Sequence, residues 1–316
     1  MINGILNIYK EKGYTSHDVV AKLRGIVGQK KIGHTGTLDP DAEGVLPVCL
    51  GRATKLCDML TDKEKEYETV LLLGRETDTQ DISGTVLAEK EIAGLSEEEI
   101  KNCIRGYIGE YQQIPPMYSA LKVNGKKLYE LAREGKVIER APRQVQIYDI
   151  EILEMALPRV KMRVACSKGT YIRTLCHDIG RELKTGGCME QLLRTRVSCF
   201  DISKSHTLKE VENCVKEGAL GDILIPLDEM FADLKKVVVQ GKAAALAKNG
   251  NDFVQKPLTS SKECTPTVDT PQVYAAGEEV RVYDEAQVFI GIFCFDERGK
   301  RFRIRKMFLD RDEQRG

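Results

Sequence analysis

Between Arg159 and Leu183 the chain changes its hydrophobic period. Val160, Met162, Val164 and Cys166 alternate with polar residues, as in a strand with one buried face. After the turn Ser167-Lys168-Gly169, the stretch from Tyr171 to Leu183 reads as a helix closed by Gly186-Gly187. The same switch recurs along the chain in no regular order. Strand-like segments run over 5–9, 45–50, 67–73, 84–88 and, alternating again, 192–202. Helices are expected over 16–27, with Ser16 or Asp18 as the cap, and after Ser96, where Glu99 completes a capping box. Strict alternation of strand and helix would call for a parallel sheet, so the mixed order points to an α+β fold.

A length of 316 residues suits two domains. Composition shifts after Ile225-Pro226-Leu227: a helix at 242–248 ends at Asn249-Gly250, and a polar stretch follows from Pro257 to Pro271. Short β-like runs then occupy 279–283, 288–295 and 302–308, which describes a small β-rich second domain. The N-terminus lacks a secretory pattern and no apolar run could span a bilayer, so a cytoplasmic protein without membrane contact is expected. The 10 cysteines include no C-x-x-C pair, which favours reduced thiols and no metal. Lys+Arg 48 and Asp+Glu 48 cancel, so no global field attracts a polyanion. Cations are concentrated locally, in Arg298–Lys306 and in the pair Arg194 and Arg196.

The loop Gly33-His34-Thr35-Gly36-Thr37-Leu38-Asp39-Pro40 carries the densest candidate chemistry. Its glycines permit close backbone approach, and Asp39 is held extended by the proline after it. It lacks the Gly-Lys-Ser/Thr ending of a phosphate-binding loop. Taken alone, Asp39 could equally be the former of an Asx turn. A second unusual segment, Ile114-Pro115-Pro116-Met117-Tyr118, is stiff and leads into a cation-rich excursion that ends at Gly135.

Together these blocks resemble the tRNA pseudouridine synthase B family. The Asp39 loop is joined by Gly44-Val45-Leu46-Pro47, Gly51-Arg52-Ala53-Thr54-Lys55 and Thr77-Asp78-Thr79-Gln80-Asp81. Ile114 to Lys122 and Lys168-Gly169-Thr170-Tyr171-Ile172-Arg173-Thr174-Leu175 complete the set, all in the family's order. The resemblance implies a catalytic domain over 1–232 on a mixed, largely antiparallel sheet, with a thumb-like insertion at about 113–140. It implies a PUA-like RNA-binding β-barrel over 233–316. The implied reaction converts uridine-55 in the T loop of tRNA to pseudouridine, with no cofactor, no guide RNA and no obligatory protein partner, by a monomer that recognises the T stem-loop.

By the same resemblance Asp39 is the catalytic carboxylate, Arg173 its ion-pair partner and Tyr67 the tyrosine stacked on the target base. His34 fills the gap left by the extruded uridine, while Tyr171 and Leu192 line the pocket. The family commonly shows two arginines after that leucine, whereas here Leu193 precedes Arg194. The competing readings are a guide-dependent H/ACA-type synthase, a non-catalytic tRNA-binding or tRNA-folding protein, and a hydrolase using Asp39 as nucleophile.

Overall fold

The computed structural model describes residues 1–92, 94–123, 125–254 and 274–309, so the polar stretch from Pro257 to Pro271 lies outside the described residues. In chain order the strands are β1 (Gly4–Lys10), β2 (Ile32–His34), β3 (Glu43–Leu50), β4 (Lys65–Leu73), β5 (Arg75–Thr77), β6 (Val86–Glu89), β7 (Gly109–Gln113), β8 (Lys122–Val123) and β9 (Lys126–Lys127). There follow β10 (Arg143–Ala156), β11 (Arg159–Cys166), β12 (Gly187–Val197), β13 (Phe200–Asp201), β14 (Lys235–Val238), β15 (Glu279–Tyr283), β16 (Phe289–Asp296) and β17 (Arg301–Met307). The helices are α1 (Ser16–Val27), α2 (Cys57–Thr61), α3 (Glu97–Arg105), α4 (Leu128–Arg133), α5 (Ile172–Glu182), α6 (Leu208–Lys216), α7 (Leu220–Ile223) and α8 (Gly241–Lys248). Among the described residues no helix is long and apolar enough to cross a membrane.

Contacts divide the chain into two compact units. The first holds Leu6–Val48 and Leu56–Ile223; the second gathers Met1–Ile5, Cys49–Lys55 and the chain from Leu224 on.

In the first unit a sheet runs in the order β1-β3-β12-β4-β11-β10-β7, with β2 beside β3 and β13 beside β12. β12 is parallel to β3, while its pairing with β4 and the β4–β11, β11–β10 and β10–β7 pairings are antiparallel. The expected mixed, largely antiparallel α+β sheet is therefore what forms. The alternation read in β11 places Val160, Met162, Val164 and Cys166 in the core, against Ile100 and Ile104 of α3 and Ile172, Leu175 and Ile179 of α5. The other face of the same strand carries Arg159, Lys161 and Arg163, paired with Glu190, Glu68 and Glu151. A sheet covered by helices on one face and solvated on the other needs this division. The segment after Gln113 builds its own small cluster, Met117, Leu128 and Leu131, around the β8–β9 hairpin and α4.

The second unit has an open sheet, β14-β15-β16-β17, over a core that includes Val237, Val280, Val282, Phe293 and Phe302. Here the expected barrel is corrected: among the described residues the sheet does not close. β17 meets a single bridge beyond its outer edge, Phe253 opposite Phe302, and a closed barrel would need a full ladder there.

Candidate active site

The Gly33–Pro40 loop leaves β2 and is tied down along its length. Thr35 N–H donates to the Pro47 carbonyl at 3.1 Å, and Leu38 N–H donates to the Ser16 hydroxyl at 2.9 Å. Ser16 was one of two expected caps of α1; Thr15 caps the helix instead, with Asp18 closing the capping box. The Ser16 side chain is thereby free to hold the loop. The Pro40 carbonyl accepts from the Lys10 ammonium at 3.0 Å and from Gly13 N–H at 2.9 Å. Asp39 is thus presented by a loop whose backbone is fixed on both sides of it.

Arg173, in the first turn of α5, meets Asp39 with Nε 3.0 Å from Oδ2, and its side chain is only 6% exposed. Its other nitrogens are also engaged. Nη1 donates to the Thr79 carbonyl at 3.1 Å and lies 3.5 Å from Asp81 Oδ2, while Nη2 donates to the Tyr118 carbonyl at 2.8 Å. One guanidinium therefore gathers the Asp39 loop, the 77–81 turn and the segment that opens the insertion. A planar fork with fixed donors can do this; a lysine ammonium cannot.

Crowding by protein atoms pushes the Asp39 carboxyl above its ordinary value, although the side chain keeps an open flank. Arg173 and then Lys10 pull it back, while Asp81 and Asp41 push it further up. Tyr67, in β4, is buried among Leu38, Ala42 and the sheet core, and burial pushes its phenol up to about 12. It stays protonated at neutral pH. His34 sits edge-on to His17 with ring centroids 5.3 Å apart, and burial, then His17, holds its imidazole below the usual value. Tyr171 caps α5, half-buried, and Leu192 of β12 packs against the same core as Tyr67. Among the described residues no group of three His, Cys, Asp or Glu side chains is placed to hold a metal ion.

Three residues escaped the sequence reading. Arg194 was noted only as half of a local cation pair with Arg196; it is 1% exposed, in the strand β12 that pairs in parallel with β3. That pairing sets Arg194 opposite Gly44, where an added Cβ would lie 2.2 Å from the Arg194 carbonyl oxygen. The guanidinium donates to the Val45 carbonyl at 2.7 Å and more distantly to Gly36 at 3.4 Å, with the Tyr67 phenol among its neighbours. Lys10 is fully buried, and burial lowers its ammonium to about 8. β1 is buried on both faces up to Ile8, Ile5 and Asn7 as well as Leu6, so no period-two pattern singled Lys10 out. Gln113, at the end of β7, is 1% exposed and bonds both backbone polar groups of Tyr171.

Comparison with known proteins bears on this arrangement. The description "TruB family pseudouridylate synthase (N terminal domain)" matches residues 24–172, and "tRNA pseudouridylate synthase B C-terminal domain" matches 173–232. The tRNA pseudouridine synthase B of Lachnoclostridium phytofermentans is 52% identical over 316 residues, covering 98% of this chain and 100% of the relative. That of Alkaliphilus oremlandii is 45% identical over 314 residues, with the same coverage of 98% and 100%. Among solved structures, a Cbf5-Nop10-Gar1 complex aligns with a TM-score of 0.68 at 25% identity, covering 98% of this chain and 86% of that one. An H/ACA RNP bound to a substrate RNA containing 2'-deoxyuridine aligns with a TM-score of 0.67 at 24% identity, covering 98% and 86%, a likeness of fold alone.

Proposed function

This chain belongs to the TruB family of pseudouridylate synthases, and on that footing we propose that it converts uridine-55 in the T loop of tRNA to pseudouridine without a guide RNA. The observation that carries the reading is the Asp39–Arg173 pair, assembled from segments far apart in sequence around a carboxylate that keeps an exposed flank. Uridine and pseudouridine are isomers. The bond from C1' to N1 breaks, C1' joins C5, N1 takes up a proton and C5 loses one, so no atoms or electrons need come from a co-reactant. The group required is a carboxylate that stays ionised in a crowded site, acting on the sugar or the base as nucleophile or as base. Arg173 supplies the charge that keeps Asp39 in that form.

In this reading Asp39, Arg173 and Tyr67 form the reacting site. Tyr67, protonated, acts as a flat wall for the base rather than as a proton acceptor. His34, Tyr171 and Leu192 contact the RNA: His34 takes the place of the extruded uridine, and the other two line its pocket. The chain works as a monomer without an obligatory protein partner, with the catalytic domain over 1–232 and an RNA-binding domain over 233–316. The test uses the purified protein alone on an unmodified tRNA transcript, with carbodiimide mapping and Asp39→Asn alongside. One reverse-transcription stop at the T-loop uridine, lost in the variant, is the expected result. Tight binding without any stop would instead favour the guide-dependent reading.

A further inference from the structure

Three helices of the first unit start with their own capping boxes: Thr15 with Asp18 on α1, Ser96 with Glu99 on α3, and Thr207 with Glu210 on α6. In each, an acid three residues on reaches back to the N-cap amide. α5 begins differently. Its N-cap is Tyr171, which makes no side-chain cap hydrogen bond, and a tyrosine has no short oxygen to offer there. The missing contact comes from across the fold. Gln113 Oε1 accepts the Tyr171 N–H at 2.8 Å, and Gln113 Nε2 donates to the Tyr171 carbonyl at 3.0 Å. One buried amide thus holds both polar groups of a single peptide position.

Arg173 lies two residues beyond that clamp, and the insertion begins immediately after Gln113. The Arg173 guanidinium also reaches the Tyr118 carbonyl of the insertion's first segment. The entrance to the insertion and the first turn of α5 are therefore joined at two points, one through Gln113 and one through Arg173. We infer that Gln113 is a positioning residue of this site: its side-chain amide fixes Tyr171 and the first turn of α5, and so sets where Arg173 meets Asp39. The inference rests on the proposed reaction only for its activity readout.

The test compares Gln113→Leu, which removes both bonds, with Gln113→Glu, which keeps the acceptor for Tyr171 N–H but turns an oxygen toward the Tyr171 carbonyl. Single-turnover isomerisation should slow roughly 10- to 100-fold in the leucine variant and less in the glutamate one, as expected of small displacements at a reacting site. Affinity for tRNA should stay within about threefold, because that loss lies in orientation and not in uniform binding. The second readout needs no turnover: carboxyl-carbon NMR titration of Asp39, assigned with Asp39→Asn. Asp81, Lys10 and Asp41 face that carboxyl unchanged in every variant, so a titration moved to higher pH in Gln113→Leu reports loss of the Arg173 contact. An unmoved titration, or a rate per folded molecule equal to wild type, would overturn the inference and leave Gln113 a merely structural amide. If Gln113→Leu does not fold, the nearly isosteric glutamate variant carries both readouts. Wild-type protein that leaves tRNA unmodified would sink the proposed reaction, and the titration would still decide the role of Gln113.

Discussion

In the interior of the first unit Arg173 and Arg194 are 5% and 1% exposed, whereas on β17 of the second unit Arg301, Arg303 and Arg305 keep 40%, 51% and 71% of their side chains in solvent. The buried pair differ from each other as well. Arg173 answers a carboxylate, while the contacts of Arg194 are two carbonyls and a phenol. The β17 arginines face Asp252, Asp296 and Glu279 across a solvated edge. What a cation does is decided by what it has lost on leaving water. Out of solvent it must be matched group by group and then holds geometry; at the edge it is screened and interchangeable.

The sharpest way to break this comparison is to unmatch the proposed catalytic pair. Asp39→Asn should lower the single-turnover rate at least about 10⁴-fold, as loss of a reacting group does. Arg173→Met should lower it about 10²- to 10³-fold, the range for removing one preorganised electrostatic partner. Arg173→Lys should fall well short of wild type, because the ammonium cannot reach Asp39, Thr79 and Tyr118 together. The pH profile gives the sign. In the proposed reaction Asp39 works ionised, and its carboxyl is held above the usual range, so the rate should fall as pH drops through that raised value. Without the Arg173 charge the acid limb should move to higher pH still. A limb that stays in place in Arg173→Met would mean that burial alone sets the titration.

Arg194→Met is the next largest effect, and it should appear chiefly in stability. The Val45 carbonyl loses a charged donor in the interior, which costs on the order of 1–3 kcal/mol. A melting temperature several degrees lower is expected by calorimetry. A fully stable variant would show that the guanidinium is dispensable to the fold.

These arginines also mark how far the sequence could be read. Asp39 and Arg173 were legible because each sits in a block of several residues whose order is specific. β11 and α5 were legible because their hydrophobic periods are clean. β10 was not, since bulges between Ile147 and Asp149 and between Ile152 and Glu154 reset its alternation midway. The burial of Arg194 was not legible because an arginine looks the same in sequence whether it faces solvent or replaces water for buried carbonyl oxygens. The parallel β12–β3 pairing that buries it joins segments about 150 residues apart, beyond any local pattern. Gln113 was missed for the same reason: its partner, Tyr171, is 58 residues away.

The smallest expected effect completes the comparison at the β17 edge. Arg303 Nη2 lies 2.9 Å from Asp296 Oδ2, and Arg301 Nε lies 3.3 Å from Asp252 Oδ2. Contacts this short would matter in a dry interior. Here the arginine side chains stay 40% and 51% exposed, ordering them costs entropy, and salt screens what is left. Replacing both arginines by alanine should therefore leave the melting temperature within about 2 °C of wild type. Raising the salt concentration should shrink even that difference. The strand itself keeps its place through Phe302, packed on Phe253 and Phe295 and closed by backbone bonds to Phe253. A drop comparable to that of Arg194→Met would overturn the contrast, because it would show the edge arginines holding the open sheet together as firmly as a buried one holds the loop.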